Sequence, residues 1–373
     1  MSAEQHRTRE AAAMPQPPRA VEAPGGPRHE SPPELASTRP SLPAAGPLVV
    51  RLRNWVGDVL LGLPMLQRLA DAGFELHLVG KGWARDLLAG HGWPVHPLPA
   101  TLRERVALFR QLRKDASAAA SARGGRPGGM PRGRIDALCL PYSFSSAVEF
   151  RLAGLRALGH AHEGRGFLLG RAIARERGQH ELAVYWALGD ALLGTAAALP
   201  ERLGLRLAPQ HVEAARALRA AHGLARAPIV ICPFAGGTFD KLPKTWPEFA
   251  EFVREDLQPL ARAQQRRIVV CPGPGEVDEA RRHFGDAITL EGVGLGTYAA
   301  LLAEAALMIS NDTGPGHLAA AVDTPLLSVL GPTHPGLWRA WGPSVNLLGG
   351  AGVWPGRGAV LAATQELLLA GDH

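Results

Sequence analysis

The run Asn311-Asp312-Thr313-Gly314-Pro315-Gly316-His317-Leu318-Ala319-Ala320-Ala321 sets a polar, glycine-bearing turn directly before an alanine-rich helix. An apolar segment, 305–310, reads as the strand that delivers this turn. Backbone N–H groups of Thr313, Gly314 and their neighbours should then point outward at a helix N-terminus, where phosphate oxygens fit. The same pattern also describes a structural helix capped by Asp312 or Thr313. Lys244, just before a Trp246-Pro247 helix start, can set a point charge against a diphosphate, or it can be an ordinary solvated lysine beside a helix-entry plug. Glu276 opens a helix after a strand, where a carboxylate could accept ribose hydroxyls; a plain helix-start glutamate would look the same. Asp58, in Arg51-Leu-Arg-Asn54-Trp-Val-Gly57-Asp58, follows a buried strand, and facing a cleft it could take a proton from an attacking hydroxyl. Its other reading is an N-cap, with the helix dipole lowering its pKa.

Several chemistries lack their residues. There is no Asp-x-Asp triplet and no histidine pair at helical spacing, so no metal is expected and phosphate charge falls to Lys244, N–H groups and helix dipoles. No cofactor is expected either. Gly273-Pro-Gly-Glu276 lacks the third glycine of a dinucleotide fingerprint, and neither a Gly-x-Ser-x-Gly elbow nor a Walker loop occurs.

Strands are expected at 48–52, 75–79, 137–140, 229–232, 267–271, 307–309 and 326–330, and helices at 59–72, 101–119, 180–198, 246–263, 276–284 and 298–305, with a linker at 200–209. This alternation predicts an α/β protein of parallel sheets covered on both faces. Two runs of similar size make two doubly wound, Rossmann-like domains, 47–205 and 206–373, facing a central cleft with ligands at the strand C-terminal ends. Residues 1–46, rich in Pro and Ala, read as a disordered tail, and 121–134 as a flexible basic insert.

A chain of 373 residues with 46% hydrophobic content can bury a large core. Its net charge of +6 suits an anionic partner, but sparse aromatics, 6%, and the lack of any RNA-sheet, zinc-finger or basic-zipper signature argue against nucleic acid. Cys139, Cys232 and Cys271 sit singly in apolar segments and read as reduced core residues. No stretch reaches the roughly 18 apolar residues of a membrane span, and the N-terminus lacks a secretion signal's apolar core. The expected location is cytoplasmic, with contact at the inner face of the membrane the only membrane role.

The motifs together resemble glycosyltransferase family 9, the ADP-heptose:lipopolysaccharide heptosyltransferases. The resemblance covers most of 48–342 and is carried by Ser310-Asn-Asp-Thr-Gly-x-x-His-Leu-Ala-Ala, Thr324-Pro325, Gly331-Pro-Thr333 and Lys244-x-Trp-Pro. Trp55-Val-Gly-Asp58, Pro141-x-Ser-Phe-x-Ser146-Ala and Ala153-Gly-Leu-x-x-x-Gly159 look like the branch that adds the second heptose. The resemblance implies a GT-B fold and inverting, metal-independent transfer of a heptose from ADP-heptose to the lipopolysaccharide inner core. It makes Asp58 the general base, Lys244 and Thr238 phosphate contacts, Glu276 the ribose contact and Asp312 the donor-sugar contact. Thr313 and Gly314 become diphosphate contacts and His317 a supporting residue, while Asn54, Ser145 and Ser146 fall on the acceptor side. Arg103, Arg105, Arg110, Arg113 and Lys114 would attract acidic groups of the acceptor or an anionic membrane face, or form an ordinary solvated helix face. His334, Trp338 and Trp341 depart from the family pattern.

Overall fold

Residues 46–122, 134–236, 238–239 and 241–371 are described by the structure, a computed structural model. Most of the expected tail and insert, 1–45 and 123–133, lies outside the described residues.

Strand β1 (Pro47–Arg51) is buried along its whole length. Continuous burial, rather than alternation, is what a parallel strand covered on both faces requires. Around it lie β2 (Glu75–Gly80), β3 (Val95–Pro97), β4 (Ala137–Cys139), β5 (Ala157–Ala161) and β6 (Arg171–Ala174), all parallel, in the order β3-β2-β1-β4-β5-β6. The order reverses between β1 and β4, so the loops leaving these two strands open a crevice at their C-terminal ends.

The second sheet repeats the plan. β7 (Ile229–Cys232) is followed by a small hairpin, β8 (Thr238–Phe239) with β9 (Leu242–Pro243), then by β10 (Ile268–Val270), β11 (Ile288–Thr289), β12 (Leu307–Asn311), β13 (Leu326–Leu330) and β14 (Val345–Gly349). Its order, β11-β10-β7-β12-β13-β14, is again fully parallel, with the reversal between β7 and β12.

One apolar cluster runs through both sheets, joining Leu48, Leu60 and Met65 to Met308, Leu318, Ala319 and Leu326. Small residues make the join. A Cβ added at Gly57 would lie 2.9 Å from the ring of His317, and one at Gly314 3.1 Å from Cβ of Val56. The helices Val56–Asp71 and Gly314–Ala321 therefore approach closely at their N-terminal ends, each having just left its sheet's switch point.

Several element boundaries differ from expectation. The helix expected at 59–72 begins at Val56, and the one at 180–198 stops at Leu193, where Gly194 turns left-handed at φ +71. The helix expected from Trp246 begins only at Phe249 and contains a π turn at Val253–Leu257. That turn precedes Pro259, whose missing N–H and ring clash with the carbonyl four residues back disfavour a regular α turn. The linker ends in an unexpected helix, Pro209–Ala221. Strands β3, β5, β6, β11 and β14 were not expected; most are short, and exposed β6 lacks an apolar run. The three cysteines are free, Cys139 and Cys232 buried and Cys271 half-buried. Among the described residues no helix is long and apolar enough to cross a membrane.

Candidate active site

Asn311, fully buried at the end of β12, organises the second sheet's edge. Its side-chain oxygen accepts the N–H of Trp246 at 3.0 Å, and its amide donates to the carbonyl of Pro233 at 2.6 Å. Trp246 itself is a core residue packed on Phe249 and Phe252. Lys244 thus sits between β9 and the Trp246 anchor, ahead of a helix that begins at Phe249 and not at Trp246 as expected. Its ammonium lies 3.0 Å from Oδ2 of Asp312, and the same oxygen accepts the Thr333 hydroxyl at 2.8 Å.

Thr313 is the N-cap of the Gly314–Ala321 helix, in extended conformation and without a side-chain cap bond. The expected fan of outward N–H groups is narrower than the sequence suggested. Pro315 has none, and those of Gly316 and His317 turn back to the Thr313 carbonyl at 3.1 and 3.4 Å, so Thr313 and Gly314 are left as donors. His317 is buried against Gly57, and burial brings its pKa down to about 4, keeping the ring neutral. Its Nδ1 is buried without a hydrogen-bond partner.

Glu276 caps the Val277–His283 helix, and its Oε2 accepts the Gly273 N–H at 2.7 Å, closing a tight turn in which Gly275 has φ +89. The side chain of Thr238 lies outside the described residues.

On the first sheet's edge, Asp58 is the third residue of its helix; the N-cap is Trp55. Its Oδ1 accepts the Tyr185 hydroxyl at 3.0 Å, and Oδ2 lies 3.4 Å from Nε of Arg53. The lowered pKa expected from the helix dipole does not hold. Burial raises the Asp58 pKa above the ordinary carboxylate value and outweighs Arg53 and Tyr185, which pull it down.

Asn54 is exposed and accepts from Arg51 at 3.4 Å. Ser145 is exposed at the start of the Phe144–Ala153 helix, whereas Ser146 turns inward, donating to the Ser143 carbonyl at 2.7 Å and accepting from Arg165 at 3.2 Å. Ser146 holds its loop and does not face solvent. Arg105 is committed to Glu149 at 2.9 Å, while Arg110, Arg113 and Lys114 line a groove against Leu152, Ala153 and Gly154.

His334 caps the Pro335–Trp338 helix by accepting from Gly336. Trp341 donates from Nε1 to the Pro200 carbonyl at 2.8 Å and packs on His180, so it braces the segment between the sheets.

Residues that the sequence did not single out complete the first-sheet site: Arg53, Tyr142, Arg175, Glu181 and Tyr185. Tyr185 lies on the Glu181–Leu193 helix, far along the chain from Asp58, and only the packing of that helix on Val56–Asp71 joins them. Thr333 stood in a recognised motif, yet its contact with Asp312 depends on how the β13 loop folds back.

Known proteins match this chain in sequence and in fold. The family model described as glycosyltransferase family 9 (heptosyltransferase) matches residues 136–356. Lipopolysaccharide heptosyltransferase 1 of Pseudomonas aeruginosa is 47% identical over 64 residues, 17% of this chain and 18% of its own. The Escherichia coli protein of the same name is 38% identical over 102 residues, 26% of this chain and 31% of its own, so the matched stretches span under a third of these relatives.

Among solved structures, E. coli ADP-heptose LPS heptosyltransferase II is 21% identical, covers 87% of this chain and 99% of that one, and has a TM-score of 0.66. The family 9 glycosyl transferase of Veillonella parvula is 18% identical over 87% and 97% of the two chains, with a TM-score of 0.70. The fold is GT-B, and the chain belongs to glycosyltransferase family 9, the heptosyltransferase family.

Proposed function

We propose that the protein is an inverting, metal-independent heptosyltransferase that moves a heptose from ADP-heptose to a hydroxyl of the lipopolysaccharide inner core. The observation that carries this reading is the meeting of two unlike sites. An anion site built on Lys244, Thr313 and Gly314 stands on one sheet, and a partly buried carboxylate, Asp58, stands on the other, with Gly57 against His317 between them.

The donor diphosphate lies against Lys244 and the N–H groups of Thr313 and Gly314, at the positive end of the Gly314–Ala321 dipole. The carboxylate oxygen of Glu276 not used by Gly273 takes the ribose hydroxyls, and Asp312 faces the donor sugar. An acceptor hydroxyl passes its proton to Asp58 as its oxygen attacks the anomeric carbon. The new C–O bond forms as the bond to the diphosphate breaks on the opposite face, and ADP leaves with the electron pair, its charge met by Lys244 and the helix terminus.

The raised pKa of Asp58 favours this role, since a carboxylate nearer the working pH is a stronger base while still ionised. The acceptor would approach over the first sheet, with peripheral contact at the membrane's inner face. Support for the donor comes from related proteins: an E. coli heptosyltransferase that is 24% identical has been solved with ADP.

A thermal-shift comparison of ADP, UDP, GDP and CMP tests the donor. A nucleotide that binds only the folded state adds about 2.7 kcal/mol at a hundred times its Kd. ADP is expected to raise the melting temperature most; preference for another nucleotide overturns the heptose donor.

A further inference from the structure

The Asp58 carboxylate does not stand alone. Tyr185, fully buried, donates to its Oδ1, while Oδ2 has Arg53 Nε at 3.4 Å, too long for a good hydrogen bond, and that nitrogen is buried without a hydrogen-bond partner. Arg53 is steadied in turn. Its guanidinium lies 4.5 Å from the centroid of the Tyr142 ring, and that of Arg175 lies 4.6 Å from the same centroid. Glu181, 1% exposed, accepts the Tyr142 hydroxyl at 2.5 Å through one oxygen and pairs with Arg175 at 3.0 Å through the other.

We propose that Tyr185 is a positioning residue: its hydroxyl occupies Oδ1 and fixes the plane of the Asp58 carboxylate so that Oδ2 takes the acceptor's proton. The inference rests on the reading of Asp58 as the base. Three observations support it. The two oxygens are unequal, Oδ1 accepting a full hydrogen bond and Oδ2 facing only the more distant Arg53. The Tyr142–Glu181–Arg175 group holds Arg53 beside Oδ2, where its charge favours the ionised base without taking the oxygen's hydrogen-bonding place. Burial among Asp58 and Glu181 pushes the Tyr185 phenol well above its ordinary pKa, so it stays a donor throughout the working range.

The charged and titratable groups facing Asp58 are Arg53 on the loop before its helix and Tyr185 and Glu181 on the packed helix.

The test is Tyr185→Phe in the full chain, which keeps the ring and deletes the hydroxyl, assayed beside Asp58→Asn. With the donor reading in place, kcat should fall about 10- to 100-fold while the acceptor KM and the Kd for ADP stay within about two-fold. The acid limb of kcat/KM should move to higher pH, because the lost bond favoured the ionised carboxylate. A variant harmed only through packing would lose melting temperature and leave that limb in place, which overturns the inference. If Asp58→Asn is inactive and Tyr185→Phe keeps the wild-type kcat and limb, the positioning role alone fails; if Asp58→Asn still transfers, the base reading fails and takes this inference with it.

Discussion

Lys244 and Asp312 are joined at 3.0 Å although three strands, β10, β11 and β12, and several helices lie between them along the chain. The pair fixes the cation of the proposed anion site: Asp312 holds the ammonium, and Thr333 holds Asp312. Lys244→Met removes the cation and keeps the length of the side chain. A charge-assisted hydrogen bond contributes about 1.5–3 kcal/mol, so calorimetric titration of ADP should show affinity weakened about 10- to 100-fold. Unchanged affinity would place the phosphates elsewhere.

Gly57→Ala tests the contact between the sheets. The new Cβ would stand 2.9 Å from Cδ2 of His317, a buried ring. Overpacking of this kind costs about 1–3 kcal/mol, read as a lower urea midpoint at unchanged slope. The double variant Gly57→Ala/His317→Ala should recover part of that loss. Additive losses would show that the two residues do not press on each other.

The parallel α/β plan was legible because buried parallel strands write continuous apolar runs: Ile229–Cys232 falls where expected, to the residue. Short edge strands such as β6, with exposed Arg171 and Ala172, write no such signal. Asp312, Thr313 and Asp58 were readable from their place after strands. Their protonation and partners were not, since the burial that raises the Asp58 pKa leaves no local pattern and its partner Tyr185 lies 127 residues away in sequence. Lys244 falls before a helix as read, but that helix starts at Phe249 and not at Trp246, because Trp246-Pro247 resembles a helix start and serves instead as an anchor. Ser146 shows the opposite case: a motif residue whose side chain faces the interior.

Asn311→Ala should damage both fold and binding. It strips partners from the Trp246 N–H and the Pro233 carbonyl, two buried groups that each cost about 1–3 kcal/mol when left unmade. The melting temperature should fall, and ADP affinity should fall with it, as the Lys244 segment loses its tether. A variant as stable as the parent would show that water or a neighbour replaces the amide.

His91 makes stability depend on pH. Its Nε2 accepts the Arg206 N–H at 3.1 Å, its ring lies 4.4 Å from that of Trp93, and burial lowers its pKa from 6.5 to about 4. The folded state therefore holds the ring neutral while the unfolded chain protonates first as pH falls. Full stability is present above the unfolded pKa of about 6.5 and is lost on the way down to about 4, by roughly 3 kcal/mol at most from this residue. His317, lowered in the same direction, adds to the loss. Urea midpoints at about pH 7.5 and about pH 5 should differ less in His91→Asn than in the parent. Equal differences would remove His91 as a source.

In the proposed reaction Asp58 serves the acceptor and not the donor. Heptose transfer by Asp58→Asn, measured with ADP-heptose and a lipopolysaccharide-core acceptor alongside the Kd for ADP, tests it most directly. General-base catalysis contributes about a hundred- to ten-thousand-fold, so transfer should fall by that factor while the Kd stays within about two-fold. Transfer within about ten-fold of the parent, or loss of ADP binding by a folded variant, would contradict it.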